Sequence, residues 1–152
     1  MNSIIISDTS CLITLGNVDK LDLLRDLFQE IIITEEVRDE FNERLPDWIT
    51  IMDVKDKQRQ NEIENLLDKG ESSAITLALE IPNSLLIIDE IKGRKIAESF
   101  NIEIIGTIGV LIIAKKKGLI DDIVDIILQI KRKGFRLSDK LMNILIDSFG
   151  KE

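Results

Sequence analysis

Short runs of apolar residues alternate along the chain with longer segments that repeat apolar residues at helical spacing. The short runs predict β-strands at residues 4–6, 31–33, 85–88 and 102–105, with a weaker strand at 49–54. Strands that are apolar on both faces are typical of a parallel sheet covered by helices on both sides. We therefore predict the α/β class, as a three-layer α/β/α sandwich around a parallel sheet of four or five strands.

Helical spacing predicts helices in the intervening segments, at residues 18–28, 37–45, 63–67, 72–81, 91–100 and 109–117. Two more amphipathic segments follow Gly118, within a single domain over residues 1–152. Their apolar faces consist of Ile123, Ile126, Ile127 and Ile130 in the first segment, and Leu141, Ile144 and Leu145 in the second. Two interpretations stay open: the faces close the core, or they pair with another chain, for example as a homodimer.

Composition and charge exclude several classes of function. The chain has 20 Lys and Arg against 28 Asp and Glu, a net charge of −8, which excludes a surface that is basic throughout and grips phosphate backbones. The absence of histidine excludes Ser-His-Asp and Cys-His nucleophile systems and histidine-containing zinc sites.

The single cysteine, Cys11, predicts a buried thiol in a cytoplasmic protein. We expect no targeting segment before the first strand and no membrane span.

Two acidic residues follow predicted strands. Asp8 comes directly after the first apolar run, and Asp89 comes directly after the run at 85–88. In a parallel sheet the carboxyl ends of strands form the crevice where ligands bind, so both carboxylates are expected at one edge. Each has an ordinary alternative, since Asp8 is also a good N-cap for the helix that follows and Glu90 adjoins Asp89.

Two further acids stand out by their position on predicted helices. At about 100° per residue, Ala74, Ile75 and Ala78 lie within about 60° of Glu71, so its carboxylate faces the apolar side of its helix. The helix dipole stabilises an acid in a first turn but does not explain an inward-facing charge. Glu40 lies about 60° from the edge of its helix's apolar stripe and is the acid best placed to reach over the rim of the core.

Together these four carboxylates predict a site for a hard divalent cation. Mg²⁺ and Mn²⁺ bind carboxylates, waters and phosphates, and they need no histidine or cysteine. Clustered carboxylates repel one another until a cation neutralises them. A cation would also supply the positive charge with which an acidic protein could bind a polyanion.

Five short motifs occur in order along residues 3–120. They are Ile-Ser-Asp8-Thr-Ser10, Ile-Thr-x-x-Val37-x-x-Glu40, Gly70-Glu71-Ser-Ser-Ala-Ile75, Ile88-Asp89-Glu-x-Lys92-Gly93-Arg94-x-x-Ala97 and Ile105-Gly106-Thr107-x-Gly109-Val-Leu111. With these motifs the chain resembles PIN-domain proteins, specifically the prokaryotic toxin-like (VapC-like) branch. The match weakens after Gly118, and no function is assigned to residues 121–152.

The resemblance implies a Mg²⁺- or Mn²⁺-dependent endoribonuclease that leaves 5′-phosphate and 3′-hydroxyl ends. It implies that Asp8, Glu40, Glu71 and Asp89 form the acidic cluster, and that the hydroxyls of Ser10 and Thr107 border it. We assign Asp8 and Asp89 as the principal metal ligands, with Glu40 and Glu71 completing the shell. A toxin-like role would bring an antitoxin protein as a partner, besides the RNA substrate.

Three basic residues, Lys92, Arg94 and Lys95, lie just beyond Asp89. They are candidates for substrate phosphate binding, with a solvated helix face as the equal alternative. The main alternative function is a catalytically inactive PIN-like module that binds RNA or protein. A phosphoryl-transfer enzyme with an aspartate nucleophile fits less well, because Ser10 stands where such enzymes commonly need a second aspartate.

Overall fold

The computed structural model describes residues 3–150 of the chain. In this part the strands are β1 (Ile4–Ser7), β2 (Ile31–Ile33), β3 (Ile49–Ile51), β4 (Ser84–Ile87) and β5 (Glu103–Ile105). They form one sheet in the order β3-β2-β1-β4-β5, and every neighbouring pair is parallel. The predicted parallel sheet is confirmed, and the weaker strand belongs to it as β3.

Helices connect and cover the strands throughout residues 3–150. They are α1 (Thr9–Gly16), α2 (Asp22–Phe28), α3 (Glu35–Phe41), α4 (Lys57–Glu64), α5 (Lys69–Glu80), α6 (Ile91–Ser99), α7 (Thr107–Lys116), α8 (Ile123–Arg132) and α9 (Asp139–Phe149). Over the same residues, we find no helix with the length and apolar character that crossing a bilayer requires.

Successive strand residues point to opposite faces of the sheet, and each face has its own core. Ile5, Ile33 and Ile87 pack on one side with residues of α1, α2, α7, α8 and α9. Ile6 and Ile88 pack on the other side with residues of α4, α5 and α6. The two cores make the three-layer α/β/α sandwich that the doubly apolar strands predict.

Several helix boundaries differ from the prediction for local backbone reasons. The helix predicted at 18–28 begins only at Asp22, after Asp19 adopts a left-handed φ of 58°. The helix predicted at 37–45 ends at Phe41 because Asn42 is left-handed, with φ 52°. Asparagine and aspartate tolerate this conformation better than other non-glycine residues, and apolar periodicity does not register it.

The C-terminal helices complete the first core. The apolar face predicted for α8 is buried, since Ile123 and Ile127 are 1% and 0% exposed. On α9 the buried residues are Met142 and Leu145, whereas Leu141 and Ile144 are exposed. The predicted face of α9 is therefore confirmed at Leu145 and wrong at Leu141 and Ile144, because Met142 packs beside Leu145 in the core that contains the buried face of α8.

The order in which the chain adds strands to the sheet reverses at β1, while all the strands stay parallel. The chain runs outward from β1 to β2 and β3, then returns to β4 on the other side of β1. Ligands in open α/β sheets bind at such a switch point, in the crevice beyond the carboxyl ends of the strands. Asp8 and Asp89 follow the two strands that flank it.

A relay of buried hydroxyls joins the start of α3 to the first turn of α5. Thr34 Oγ1 accepts from Val37 N–H at 3.1 Å and lies 2.7 Å from Ser73 Oγ. Ser73 Oγ in turn donates to the Gly70 carbonyl at 2.8 Å, so Thr34 must donate to Ser73. Both hydroxyl residues are 0% exposed. The relay fixes the helix that carries Glu40 relative to the helix that carries Glu71.

We predict that Thr34→Val lowers the free energy of unfolding by about 1–3 kcal/mol, because it removes the α3 cap and leaves buried polar groups unpaired. Thr34→Ser, which keeps the hydroxyl, should lose much less. Urea denaturation followed by circular dichroism measures both. Equal losses in the two variants would contradict the relay.

Candidate active site at the carboxyl edge of the sheet

A cleft of about 540 Å³ opens at the carboxyl edge of the sheet. Asp8, Glu40, Glu71 and Asp89 all line it, although they come from the end of β1, from α3, from α5 and from beyond β4. The fold thus brings the four acids that the sequence singles out into one cleft.

Asp8 is held from two directions. Its Oδ1 accepts from Cys11 N–H at 3.0 Å, which caps α1, and its Oδ2 accepts from Asp89 N–H at 3.2 Å. The residue is 1% exposed. Asp8 is therefore the N-cap of α1, as the ordinary interpretation predicts, and its other oxygen joins the end of β1 to the end of β4.

Asp89 is held by the first residue of α7. Its Oδ1 accepts from Thr107 N–H at 2.7 Å and its Oδ2 accepts from Thr107 Oγ1 at 2.6 Å. Ser10 Oγ is 3.5 Å from the same Oδ2, a long contact. A carboxylate at a helix N-terminus interacts favourably with the helix dipole, so α7 helps to hold Asp89 in place. The hydroxyls of Ser10 and Thr107 do border the acids, as the resemblance implies.

Glu71 points inward, as its helical angle predicts. It lies in the first turn of α5, where its N–H donates to Asp68 Oδ1, the N-cap, at 2.8 Å. Its Oε2 is buried and has no hydrogen-bond partner within residues 3–150. A buried carboxylate oxygen without a partner is costly, so Glu71 is the least satisfied of the four acids.

Glu40 lies closer to solvent and accepts from Thr9 Oγ1 at 2.5 Å through its Oε1. Its carboxylate packs directly against Gly70 of α5, at a position that a Cβ on Gly70 would occupy. Gly93 has the same relation to Glu71, since a Cβ there would stand 2.8 Å from Glu71 Oε2. Glycine at these two positions therefore makes room for the two glutamate side chains.

Burial and mutual repulsion make the cleft electrostatically unfavourable for carboxylates. Burial raises the pKa of Asp8 to about 8, with a further contribution from the charge of Asp89, while the N–H groups of Cys11 and Asp89 partly oppose the shift. Burial also raises the pKa of Glu71 to about 7, together with the nearby charges of Asp68, Glu90 and Glu40. The charged forms of Asp8 and Glu71 are therefore disfavoured where these side chains lie, and a nearby cation would favour them.

As the structure stands, no group of three or more carboxylate or thiol side chains within residues 3–150 has the spacing of a metal site. In this arrangement the carboxylate of Asp89 is bound to Thr107 and that of Glu40 to Thr9. The donor chemistry nevertheless suits a hard cation, because it is oxygen only and includes the unpartnered Oε2 of Glu71.

The basic residues predicted near Asp89 have separate surroundings. Arg94 Nη1 donates to the Ile88 carbonyl at 2.9 Å and so supports the strand end that precedes Asp89. Lys92 lines a second hollow with Asp68, Glu71 and Glu90. Lys95 is exposed on α6, outside the residues that line the main cleft.

Sequence reasoning missed part of the lining. Asp68 adds a carboxylate besides Glu90, the alternative already noted next to Asp89, and the segment from Lys133 to Arg136 forms another wall. Asp68 could have been identified from the sequence, since an aspartate three residues before a glutamate is a helix-capping pattern. The 133–136 segment had no such signal, because it follows α8, which lies beyond the motif region, and its position depends on how α8 packs.

Cys11 is buried, free and 0% exposed, as predicted. Burial raises the pKa of its thiol well above the usual range, and the charges of Asp89 and Asp8 raise it further. A thiol in this state is a poor nucleophile. Cys11 therefore belongs to the core beneath the cleft and not to its chemistry.

We predict that the protein in EDTA becomes less stable as pH rises from about 5 to about 8. Asp8 and Glu71 have folded-state pKa values above their ordinary ones, so the folded state binds more protons than the unfolded state in this window. Urea denaturation at a series of pH values measures the slope. Asp8→Asn should flatten it, and the exposed Asp47→Asn should not. An equal slope in Asp8→Asn and wild type would contradict the assignment.

Comparison with known proteins adds one finding. The family model described as PIN domain matches residues 4–151, so the match runs past the motif region and includes both C-terminal helices. Neither a curated protein nor a solved structure matches the chain. The match covers almost the whole chain, and the three-layer sandwich with acids at its switch point agrees with it. The chain belongs to the PIN domain family.

Proposed function

We propose that this protein is a Mg²⁺- or Mn²⁺-dependent endoribonuclease that hydrolyses RNA phosphodiesters to 5′-phosphate and 3′-hydroxyl ends. PIN domains are in general metal-dependent nucleases. The observation that carries the proposal is the convergence of Asp8, Glu40, Glu71 and Asp89 on one cleft, with a buried oxygen of Glu71 left without a partner among the described residues. The toxin role and its antitoxin partner stay predictions of the resemblance.

The cleft's residues fit a divalent cation. Asp8, Glu40, Glu71 and Asp89 would hold it, and all of their donor atoms are hard oxygens. Burying several carboxylates together costs free energy that a cation would offset, and the raised pKa values of Asp8 and Glu71 reflect that cost. When bound, the cation supplies a water of lowered pKa and a positive charge for the phosphodiester.

The protein groups divide into fixed and adaptable ones. Backbone N–H groups and Thr107 hold Asp8 and Asp89, which makes them the preorganised pair. Glu40 is tied by one hydroxyl, and Glu71 has an oxygen that no described residue binds, so these longer side chains can adjust to a bound ligand. We assign the carboxylate of Glu71 to orient the attacking water once it has turned toward the ligand, because its Oε2 is bound by no described residue.

We predict that Asp89→Asn lowers kcat/KM for RNA cleavage by about 100-fold or more, the scale of losing one preorganised charge at a reaction centre. The measurement is cleavage of labelled RNA with added Mn²⁺, with and without EDTA. Asp47→Asn is the matched control, since this exposed aspartate precedes β3 and lies at the opposite edge of the sheet.

Circular dichroism should show the same fold in the wild type and in both variants, because the amide oxygen introduced by Asp89→Asn would still accept one bond from Thr107. Cleavage that persists in EDTA, or that is undiminished in Asp89→Asn, would contradict the proposal. Binding of Mn²⁺ by calorimetry without any cleavage would favour the alternative of an inactive binding module.

We predict a selective loss of activity in Gly70→Ala. The added Cβ would displace the carboxylate of Glu40, whereas alanine inside α5 is favourable to the helix by up to about 1 kcal/mol. Cleavage should therefore fall while thermal stability stays near that of wild type. Gly16→Ala is the matched control, because nothing lies within 4 Å of a Cβ at that position. Unchanged cleavage in Gly70→Ala would exclude Glu40 from the site.

A further inference from the structure

The wall of the cleft formed by the turn between α8 and α9 carries positive charge. Lys133, Gly134, Phe135 and Arg136 all line the cleft. The same cleft is lined by six carboxylates, on Asp8, Glu40, Asp68, Glu71, Asp89 and Glu90. Lys133 and Arg136 are the only basic residues in that lining, as far as residues 3–150 describe it.

The charged groups of Lys133 and Arg136 are not tied to another part of the described structure. Both side chains are exposed, and neither has a hydrogen-bond or ion-pair partner among the described residues. The neighbouring Lys131 differs, because its Nζ pairs with Asp139 at 3.7 Å. Unpaired basic side chains that border a cleft are available to bind a ligand, whereas the charge of a paired side chain is partly neutralised.

The backbone of the turn is anchored, which fixes the points from which the two basic side chains extend. Gly134 N–H donates to the Lys131 carbonyl at 3.1 Å, and Phe135 N–H donates to the Ile130 carbonyl at 3.0 Å. Phe135 packs against the first core, and Gly134 takes a φ of 107°, which strongly favours glycine. The backbone therefore reverses tightly between the two charged side chains.

We infer that Lys133 and Arg136 bind the phosphates of single-stranded RNA that flank the phosphodiester at the acidic cluster. This inference rests on the proposed function for its choice of ligand. A protein with a net charge of −8 repels a polyanion over most of its surface, so binding has to come from basic side chains near the cleft. Arg94 is engaged by the Ile88 carbonyl, which leaves this turn as the basic element of the cleft.

The test compares two double variants that remove the same charge, both in the Asp89→Asn background so that RNA stays intact. Lys133→Ala/Arg136→Ala removes the cations of the turn, and Lys116→Ala/Lys117→Ala removes exposed lysines at the end of α7, outside the cleft lining. Fluorescence anisotropy with a short labelled single-stranded RNA gives Kd over a series of salt concentrations.

We expect the turn variant to bind about 10-fold more weakly and to lower the slope of log Kd against log salt by about 1.4, since each single-strand phosphate contact contributes about 0.7. The α7 variant should keep the parent slope. With Asp89 intact, the turn variant should raise KM and leave kcat nearly unchanged. Equal slopes in the two double variants would overturn the inference. Persistent cleavage by Asp89→Asn would instead count against the proposed function, so the two can fail separately.

Discussion

The structure of this protein is organised around acidic side chains that share one cleft at the carboxyl edge of the sheet. Asp8 is 1% exposed, and its oxygen accepts the backbone N–H of Asp89 across the gap between β1 and β4. Burial and the charge of Asp89 raise its pKa to about 8. Such an arrangement opposes folding unless hydrogen bonds and a cation compensate for it. The neighbouring elements are arranged to provide those hydrogen bonds.

The support around the acids consists of backbone groups, hydroxyls and glycines. Thr107 begins α7 and satisfies both oxygens of Asp89, while the relay from Thr34 to Ser73 joins α3 to α5. Glycine recurs next to the acids: a Cβ on Gly106 would stand 3.0 Å from Asp89 Oδ1, just as Gly93 faces Glu71. Several non-acidic residues of the motifs therefore position the acidic side chains or leave room for them.

A cleft of this kind suits chemistry on a polyanion only if the repulsion is overcome. Six carboxylates line it, and the basic residues that share the lining come from a turn far along the chain. A divalent cation would neutralise the acids locally, and the turn from Lys133 to Arg136 would provide charge on another wall. The C-terminal helices thus both close the core and carry part of the cleft.

Much of the fold followed from periodicity. Short segments that are apolar on both faces predicted the parallel strands. Asp8 and Asp89 each follow one of these segments, which predicted that the two carboxylates lie at the same edge of the sheet. The angle of Glu71 predicted its inward direction, because the helical period relates sequence position to face. The start of α2 and the end of α3 were predicted less well, since Asp19 and Asn42 are left-handed and apolar spacing carries no information about φ.

The amino-acid sequence by itself determined most of the buried faces, which acids end the strands and which acid turns inward, because these depend on local period and chain order. Only the tertiary structure decided that Thr107 would hold Asp89, that Gly70 would face Glu40, and that Lys133 and Arg136 would border the acids. Those contacts join residues far apart in the chain. They depend on how helices pack over the sheet, and no short-range pattern of polar and apolar residues encodes that packing.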